Sequence, residues 1–416
     1  MPRGFWIALL PPLLAACSRP PSGPRLVVAV NAGVEGEALK HAAADYERSA
    51  GVRMEIVELP YANLFEKAML DLDGRGGFYD VIMMDDPWFP RLAAREQLVP
   101  LDPLYSNTGA AGPDSDFVPT SLALCREPYP AGRLYALPYV GNSQLFFYRK
   151  DLFDQHGLSA PRTWHEARET ARRLAGPGRT MYGYVMRAAP GNAAVADFMP
   201  ILWAFGADLL APGGEPRLDA PEAAEALSFM VEMGQWTPPG YVSFNADEVA
   251  AHLLQSTAAM SINWPSWISA MDDPAKSRVA GKIAFAPMPG QRNPGQAALG
   301  NWLLGIPAGS NNIELAFAFI RWATDPPQMR IAAERGSPPT RRSVFRDAEL
   351  IRRFRAYPVQ LASLETGRPR PRTRHWNEIE NVFGVYISKA NAGSITVADA
   401  LARAQAEIAD IQRRAW

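Results

Sequence analysis

The chain has 416 residues, of which 48% are hydrophobic and 20% charged, and its formal net charge is −1. That length and composition supply two ordinary globular cores and exclude a disordered or fibrous chain. With no basic excess there is no field to gather polyanions, so no nucleic-acid partner is expected.

Taken in chain order, residues 1–16 read as an export signal: Arg3 supplies the charge, and Phe5 to Leu14 is an apolar run too short to span a bilayer as a helix. Leu14-Ala15-Ala16-Cys17 resembles the bacterial lipobox, which implies cleavage before Cys17 and lipidation of its side chain and freed amine. Residues 17–24, rich in Pro, Ser and Gly, then form a tether. Cys125, the only other cysteine, has no partner for a disulfide and is expected to serve as a small buried hydrophobe.

Leu26 to Asn31 and Arg53 to Leu59 are β-rich runs, and Asp80 to Met84 is an apolar strand. Between them, Glu37 to Arg48 and Asn63 to Leu72 carry helical apolar spacing. This β-α-β-α-β rhythm predicts a parallel sheet flanked by helices, with ligands beyond the carboxyl ends of the strands. Those ends hold Asn31, Tyr61, Asp85, Asp86 and Trp88, with Glu35 shortly after the first. Asp86 and Trp88 pair an acceptor with a flat apolar face, which suits a pyranose; a helix N-cap is the alternative use of Asp86.

Farther on, Tyr135 to Tyr139 is extended and proline-broken, and Gln144 to Tyr148 is an aromatic strand. Thr163-Trp164-His165-Glu166 has the form of a capping box opening a helix. A strand is expected at Tyr182 to Met186, and helices at Ala193 to Phe205, Pro221 to Gly234 and Ala250 to Gln255. Trp203 falls inside the first of these helices, where an aromatic is more often core than platform. Ala258 to Ile262 is a short strand ending in Asn263, Trp264, Pro265 and Trp267, and two tryptophans so close to a strand end are hard to bury completely. Ile283 to Pro289 is again extended, Asn312 to Thr324 and the segment from Thr396 are amphipathic helices, and the arginines from Arg368 to Arg374, separated by prolines, read as an exposed loop.

Tyr135-Ala136-Leu137-Pro138-Tyr139, Phe147-Tyr148-Arg149-Lys150-Asp151-Leu152-Phe153, Gly157-Leu158 and Pro161-Arg162-Thr163-Trp164-His165-Glu166 together resemble the extracellular sugar-binding lipoproteins of bacterial ABC importers. The likeness extends from the lipobox to the C-terminus. It implies an α/β, two-lobed periplasmic-binding-protein fold, each lobe a mostly parallel sheet flanked by helices, with discontinuous lobes joined by a hinge of several crossings. The N-terminal lobe is expected at residues 25–137 and 290–335, the C-terminal lobe at 139–288 and 338–416. Crossings are assigned to Tyr135 to Asn142, to Ile283 to Pro289, and to Gly336 to Ser343, which resembles the family's Gly-x-x-Pro-Thr-Arg segment.

By the same resemblance, Gly300-Asn301-Trp302 matches a Gly-Gly-Trp strand of the family with asparagine in place of the second glycine, and Trp264 matches a stacking tryptophan. Trp88, Tyr139, Trp264, Trp267 and Trp302 are expected as faces for sugar rings. Asp86, Asn142, Asn263, Asn301 and Arg341 would orient hydroxyls, together with Asn31 and Glu35; an interlobe ion pair is the alternative for Arg341. No nucleophile elbow, phosphate loop or His-Glu-x-x-His is present, and no metal or other cofactor is expected.

The reading is therefore of a non-enzymatic, monomeric binding protein outside the cytoplasm, anchored to the membrane by Cys17. It would capture a disaccharide or oligosaccharide by hinge closure and pass it to an ABC importer's permease subunits. A glycerophosphodiester or polyol ligand, a carbohydrate-active hydrolase, and a ligand-sensing scaffold are the alternatives.

Overall fold

The computed structural model describes residues 23–74, 76–176 and 181–414. The export signal, Cys17 and most of the tether lie outside them.

Among the described residues ten strands follow one another: β1 (Arg25–Asn31), β2 (Arg53–Leu59), β3 (Val81–Asp85), the short pair β4 (Arg126–Glu127) and β5 (Arg133–Leu134), β6 (Ala136–Val140), β7 (Leu145–Arg149), β8 (Met260–Asn263), β9 (Ile283–Ala286) and β10 (Trp302–Gly305). The first lobe is built on a five-stranded sheet in the order β2-β1-β3-β10-β6, the second on a three-stranded sheet in the order β8-β7-β9. β1 pairs in parallel with both β2 and β3, as the βαβ rhythm requires. β10 is antiparallel to β3 and β6, so the first sheet is mixed; β7 is antiparallel to both β8 and β9, so the second is antiparallel, not the mostly parallel sheet expected of each lobe. The reason is topological: the chain leaves the first lobe along β6 and β7 and comes back along β9 and β10, so outgoing and returning strands run in opposite senses.

Each sheet is buried by helices whose apolar stripes were legible in their spacing. Glu37–Ala50 lays Leu39, Ala43 and Tyr46 on the first core. Trp164–Leu174 is capped as its sequence implies, the Thr163 hydroxyl accepting from the Glu166 N–H at 3.1 Å. Asn192–Phe205 is apolar on every side and is correspondingly sunk between Pro221–Met233 and Trp376–Asn391. Trp203 within it is core, and so is Cys125, whose burial pushes its thiol up.

Three expectations are corrected. Tyr182 to Met186 is not a strand: it packs beside the second sheet, but its backbone pairing there is limited to a Tyr182 to Ala258 bridge and a Val185 N–H bond to Met260. The crossing expected at Ile283 to Pro289 is β9 and its continuation, inside the second lobe, because Ala286 and Met288 pack into that lobe's core. The segment after Pro338 was assigned to the second lobe, yet Val344, Phe345, Leu350, Tyr357 and Leu364 belong to the first core. Thr340 explains this: its hydroxyl donates to Pro138 O at 2.9 Å, and Val118 N–H donates to Thr340 O at 2.8 Å, which ties the segment to β6 rather than across the gap.

The crossings lie side by side. Ser143 bridges Leu299, Gly300 N–H donates to Asn142 O, and Leu299 N–H donates to Arg368 O. The three connections are therefore residues 141–144, 297–301 and 367–372, the last of them the arginine-proline run.

Candidate ligand cleft and hinge

Between the lobes lies a cavity of about 740 Å3, floored by the hinge. The first lobe contributes Asn31 at the end of β1 and Glu35 after it, Tyr61 after β2, Asp85 at the end of β3, and Trp302 at the start of β10. The second contributes Arg187, Asn192, Asp247, Trp264 and Trp267. Asn142, Gly300 and Arg370 come from the crossings.

The structure brings six of the expected residues to this wall: Asn31, Glu35, Asn142, Trp264, Trp267 and Trp302. Trp264 and Trp267 stay partly exposed, because Pro265 ends β8 and throws both indoles beyond the sheet. The outer end of the Trp264 indole rests against Gly300, where a Cβ would come within 2.6 Å of Cη2. Hydrogen bonding fixes Asn142, whose Oδ1 accepts from the Ser266 hydroxyl at 2.9 Å.

The other six do not line the cavity. Asp86 is fully buried one residue past the strand end, where its Oδ2 accepts the Asn301 N–H at 2.9 Å and faces Arg370 at 3.4 Å. It is not a helix cap. Trp88 packs on Tyr61, Phe65 and Trp302, with its Nε1 donating to the Tyr61 hydroxyl at 3.1 Å. Tyr139 is in the first core. Asn263 turns its Oδ1 to its own chain, accepting from Trp264 N–H at 2.8 Å. Asn301 donates from Nδ2 to Asn142 O at 3.0 Å, so the residue that departs from the Gly-Gly-Trp pattern pins two crossings together. Arg341 is buried against Phe117, bonds Thr324 O through Nε and pairs with Asp114 at 2.7 Å. That ion pair lies within the first lobe, since the segment carrying it never crosses.

Of the remaining wall residues, Tyr61 and Asp85 stand at the strand ends to which the sequence pointed, whereas Arg187, Asp247 and Arg370 were not anticipated. Asp85 is paired with Trp302 as the last residue of its strand, so the strand ends one residue later than its apolar run indicates. Its carboxylate accepts from Tyr61 Oη at 3.0 Å and pairs with Arg370 at 3.0 Å. Arg370 is the largest surprise of the arginine-rich run: it is buried and also faces Asp86 and Glu380. Its flanking prolines, Pro369 and Pro371, are the signal that was available, because they favour an extended segment over a helix.

Charge on this floor is unevenly matched. Asp85, Asp86 and Glu380 share Arg370 and Arg372. Burial pushes Glu380 up to about 7 against the pull of Arg370, and Asp86 up to about 6 against Arg370 and Arg372. Glu35 is pushed up to about 7, by burial first and then by the charges of Asp247 and Asp85. Arg370 is held fully charged: burial opposes its charge, but the three carboxylates prevail. Arg187 is paired with the buried Asp197 and stacks over Trp264 at 5.2 Å. This is a recognition surface of aromatic faces and fixed hydrogen-bonding groups. Among the described residues no His, Cys, Asp and Glu cluster is placed to hold a metal ion, and no helix is long and apolar enough to cross a membrane.

A family model described as a bacterial extracellular solute-binding protein matches residues 32–330. The chain belongs to that family. Its solute-binding relatives include the mannitol-binding protein of Pseudomonas aeruginosa, 31% identical over 314 residues that cover 68% of this chain and 70% of that one. Solved structures that share its architecture at 27% identity include the following two. An ABC transporter solute-binding protein from Agrobacterium radiobacter K84, in complex with ribitol, has a TM-score of 0.88 and covers 94% of this chain and 100% of that one. A maltose-bound protein of T. maritima has a TM-score of 0.84, with 93% and 99% covered. A solute-binding protein of this family works outside the cytoplasm for an ABC importer and binds its solute without transforming it.

A second concavity of about 810 Å3 lies on the second lobe, walled by Trp203, Asp208, Gly214, Arg368 and Pro371. It borders the outer side of the third crossing and shares none of the cleft's aromatic faces.

Proposed function

We propose that the cleft takes a carbohydrate, captured by closure of the two lobes and released to the permease subunits of an ABC importer. The observation that carries this reading is the wall itself: three tryptophans drawn from both lobes, with carboxamides and carboxylates fixed between them. Aromatic faces cover the C–H surfaces of sugar rings, and fixed polar groups orient hydroxyls. Because the indoles sit on opposite lobes, a ligand touching both favours the closed form by its extra contacts there, a population shift that changes the surface presented to the permease. The mannitol-binding and ribitol-bound relatives favour an acyclic polyol as the second reading. Cys17, after Leu14-Ala15-Ala16, would carry lipid and hold the protein near its membrane partner.

A thermal-shift screen of residues 18–416 against disaccharides, monosaccharides and polyols tests the reading, with each hit recovered and analysed for cleavage. A true ligand at about a hundredfold excess over Kd adds about 2.7 kcal/mol of stability and is recovered intact. Cleavage of the hit, or no shift with any carbohydrate or polyol, overturns the proposal.

A further inference from the structure

Two carboxylates in the cleft have no cation of their own. Among the described residues neither Glu35 nor Asp247 forms an ion pair, whereas the cleft's two arginines are committed, Arg187 to Asp197 and Arg370 to Asp85, Asp86 and Glu380. Glu35 comes from the first lobe and Asp247 from the first turn of the helix Ala246–Leu254 on the second, so closure sets the two against each other across the ligand. Glu35 is pushed upward by burial first, and the fields of Asp247 and Asp85 add to that. A metal ion is not the remedy, because no cluster of ligating side chains is placed to hold one among the described residues. Asn31, in the same loop as Glu35 and only 5% exposed, leaves its Oδ1 acceptor without a partner. The environment thus offers one unpartnered acceptor and two carboxylates without a cation beside the faces of Trp264 and Trp267, which attract cations as well as sugar rings.

We propose that the solute carries a protonated amine, an amino sugar or amino polyol, whose ammonium is held by Glu35 and Asp247 against the tryptophan faces. The proposal rests on the carbohydrate reading of the cleft. A neutral polyol satisfies hydroxyl partners but leaves the carboxylates facing each other uncompensated. An ammonium supplies three donors and the missing charge together.

Calorimetric titration of residues 18–416 with isosteric pairs tests this: glucosamine against glucose, glucamine against sorbitol, and β-1,4-linked diglucosamine against cellobiose. In each pair one ammonium replaces one hydroxyl per sugar unit. The expected result is that at least one amine binds about tenfold or more tightly than its neutral partner. That preference should be lost in E35Q and reduced in D247N, a substitution at an exposed position that does not threaten folding. If the neutral member binds as tightly in every pair that binds, or if E35Q and D247N keep the amine preference, the ammonium assignment is overturned while the carbohydrate reading stands. If no member of any pair binds, and no neutral sugar or polyol of the wider screen does either, both are overturned.

Discussion

Trp264 and Arg341 are large side chains from segments that resemble the family's cleft, and the structure gives them opposite tasks. Trp264 lines the cavity and rests on the hinge, so Trp264→Ala should weaken the best ligand of the screen by about tenfold, or about 1.4 kcal/mol, with little change in melting temperature. Arg341 is buried under Phe117 with its donors on Thr324 and Asp114, far from the ligand wall. Arg341→Ala should cost about 2 kcal/mol of stability through lost charged hydrogen bonds and leave affinity within about threefold. Parallel calorimetry and thermal denaturation of the two variants check both outcomes, and an affinity loss in the arginine variant would contradict its placement. Placement at the cleft was legible where a proline forces a side chain out of the sheet, as Pro265 does for Trp264 and Trp267. It was not legible at Asp85 and Asp86, where adjacent identical residues go to the cleft and to the interior because the strand ends one position later than its apolar run.

At the scale of elements, the arginine-proline run was read as a solvated loop and is the third crossing. Charge runs are usually solvated, and what reverses the rule here is three buried carboxylates, supplied by β3, the turn after it and the helix Trp376–Asn391, that no sequence spacing connects to residue 370. Long elements such as β1, β2 and the helices Glu37–Ala50 and Asn192–Phe205, by contrast, follow from local periodicity, whereas β4, β5 and the helix Trp376–Asn391 were not read from it; β1 to β3 assemble as that periodicity requires. Where the chain crosses between lobes is a long-range fact: Thr340 docks on β6 and Arg368 pairs beside Leu299, and neither partner is near in sequence. Gly300 tests the hinge as an element. A methyl there meets the Trp264 ring at 2.6 Å, so Gly300→Ala must shift the indole. We expect ligand affinity to fall several-fold, by about 1 kcal/mol, with the fold intact; unchanged affinity would show that the ring's seat on the crossing is unimportant to capture.

For the molecule as a whole, Glu35 and Glu380 couple folding to pH. Both are pushed up to about 7 from ordinary values near 4.5, so between those limits the native state holds protons that the unfolded chain has released. Their contribution to stability is therefore fullest below about pH 4.5, declines as pH rises, and is flat above about 7. Glu380→Gln keeps a hydrogen-bonding group beside Asn192 while removing the titration, so its melting temperature should drop less between pH 5 and pH 7.5 than that of the parent. An identical drop in both proteins would remove Glu380 from the account.

The central claim is that the solute binds between the lobes, and the most direct measurement is a crystal structure of residues 18–416 with the best ligand from the screen. The account predicts density in the cleft, in contact with Trp264 and Trp302 and within hydrogen-bonding distance of Glu35 or Asn142. Density instead in the concavity beside Trp203 and Arg368, with the interlobe cleft empty, would contradict it.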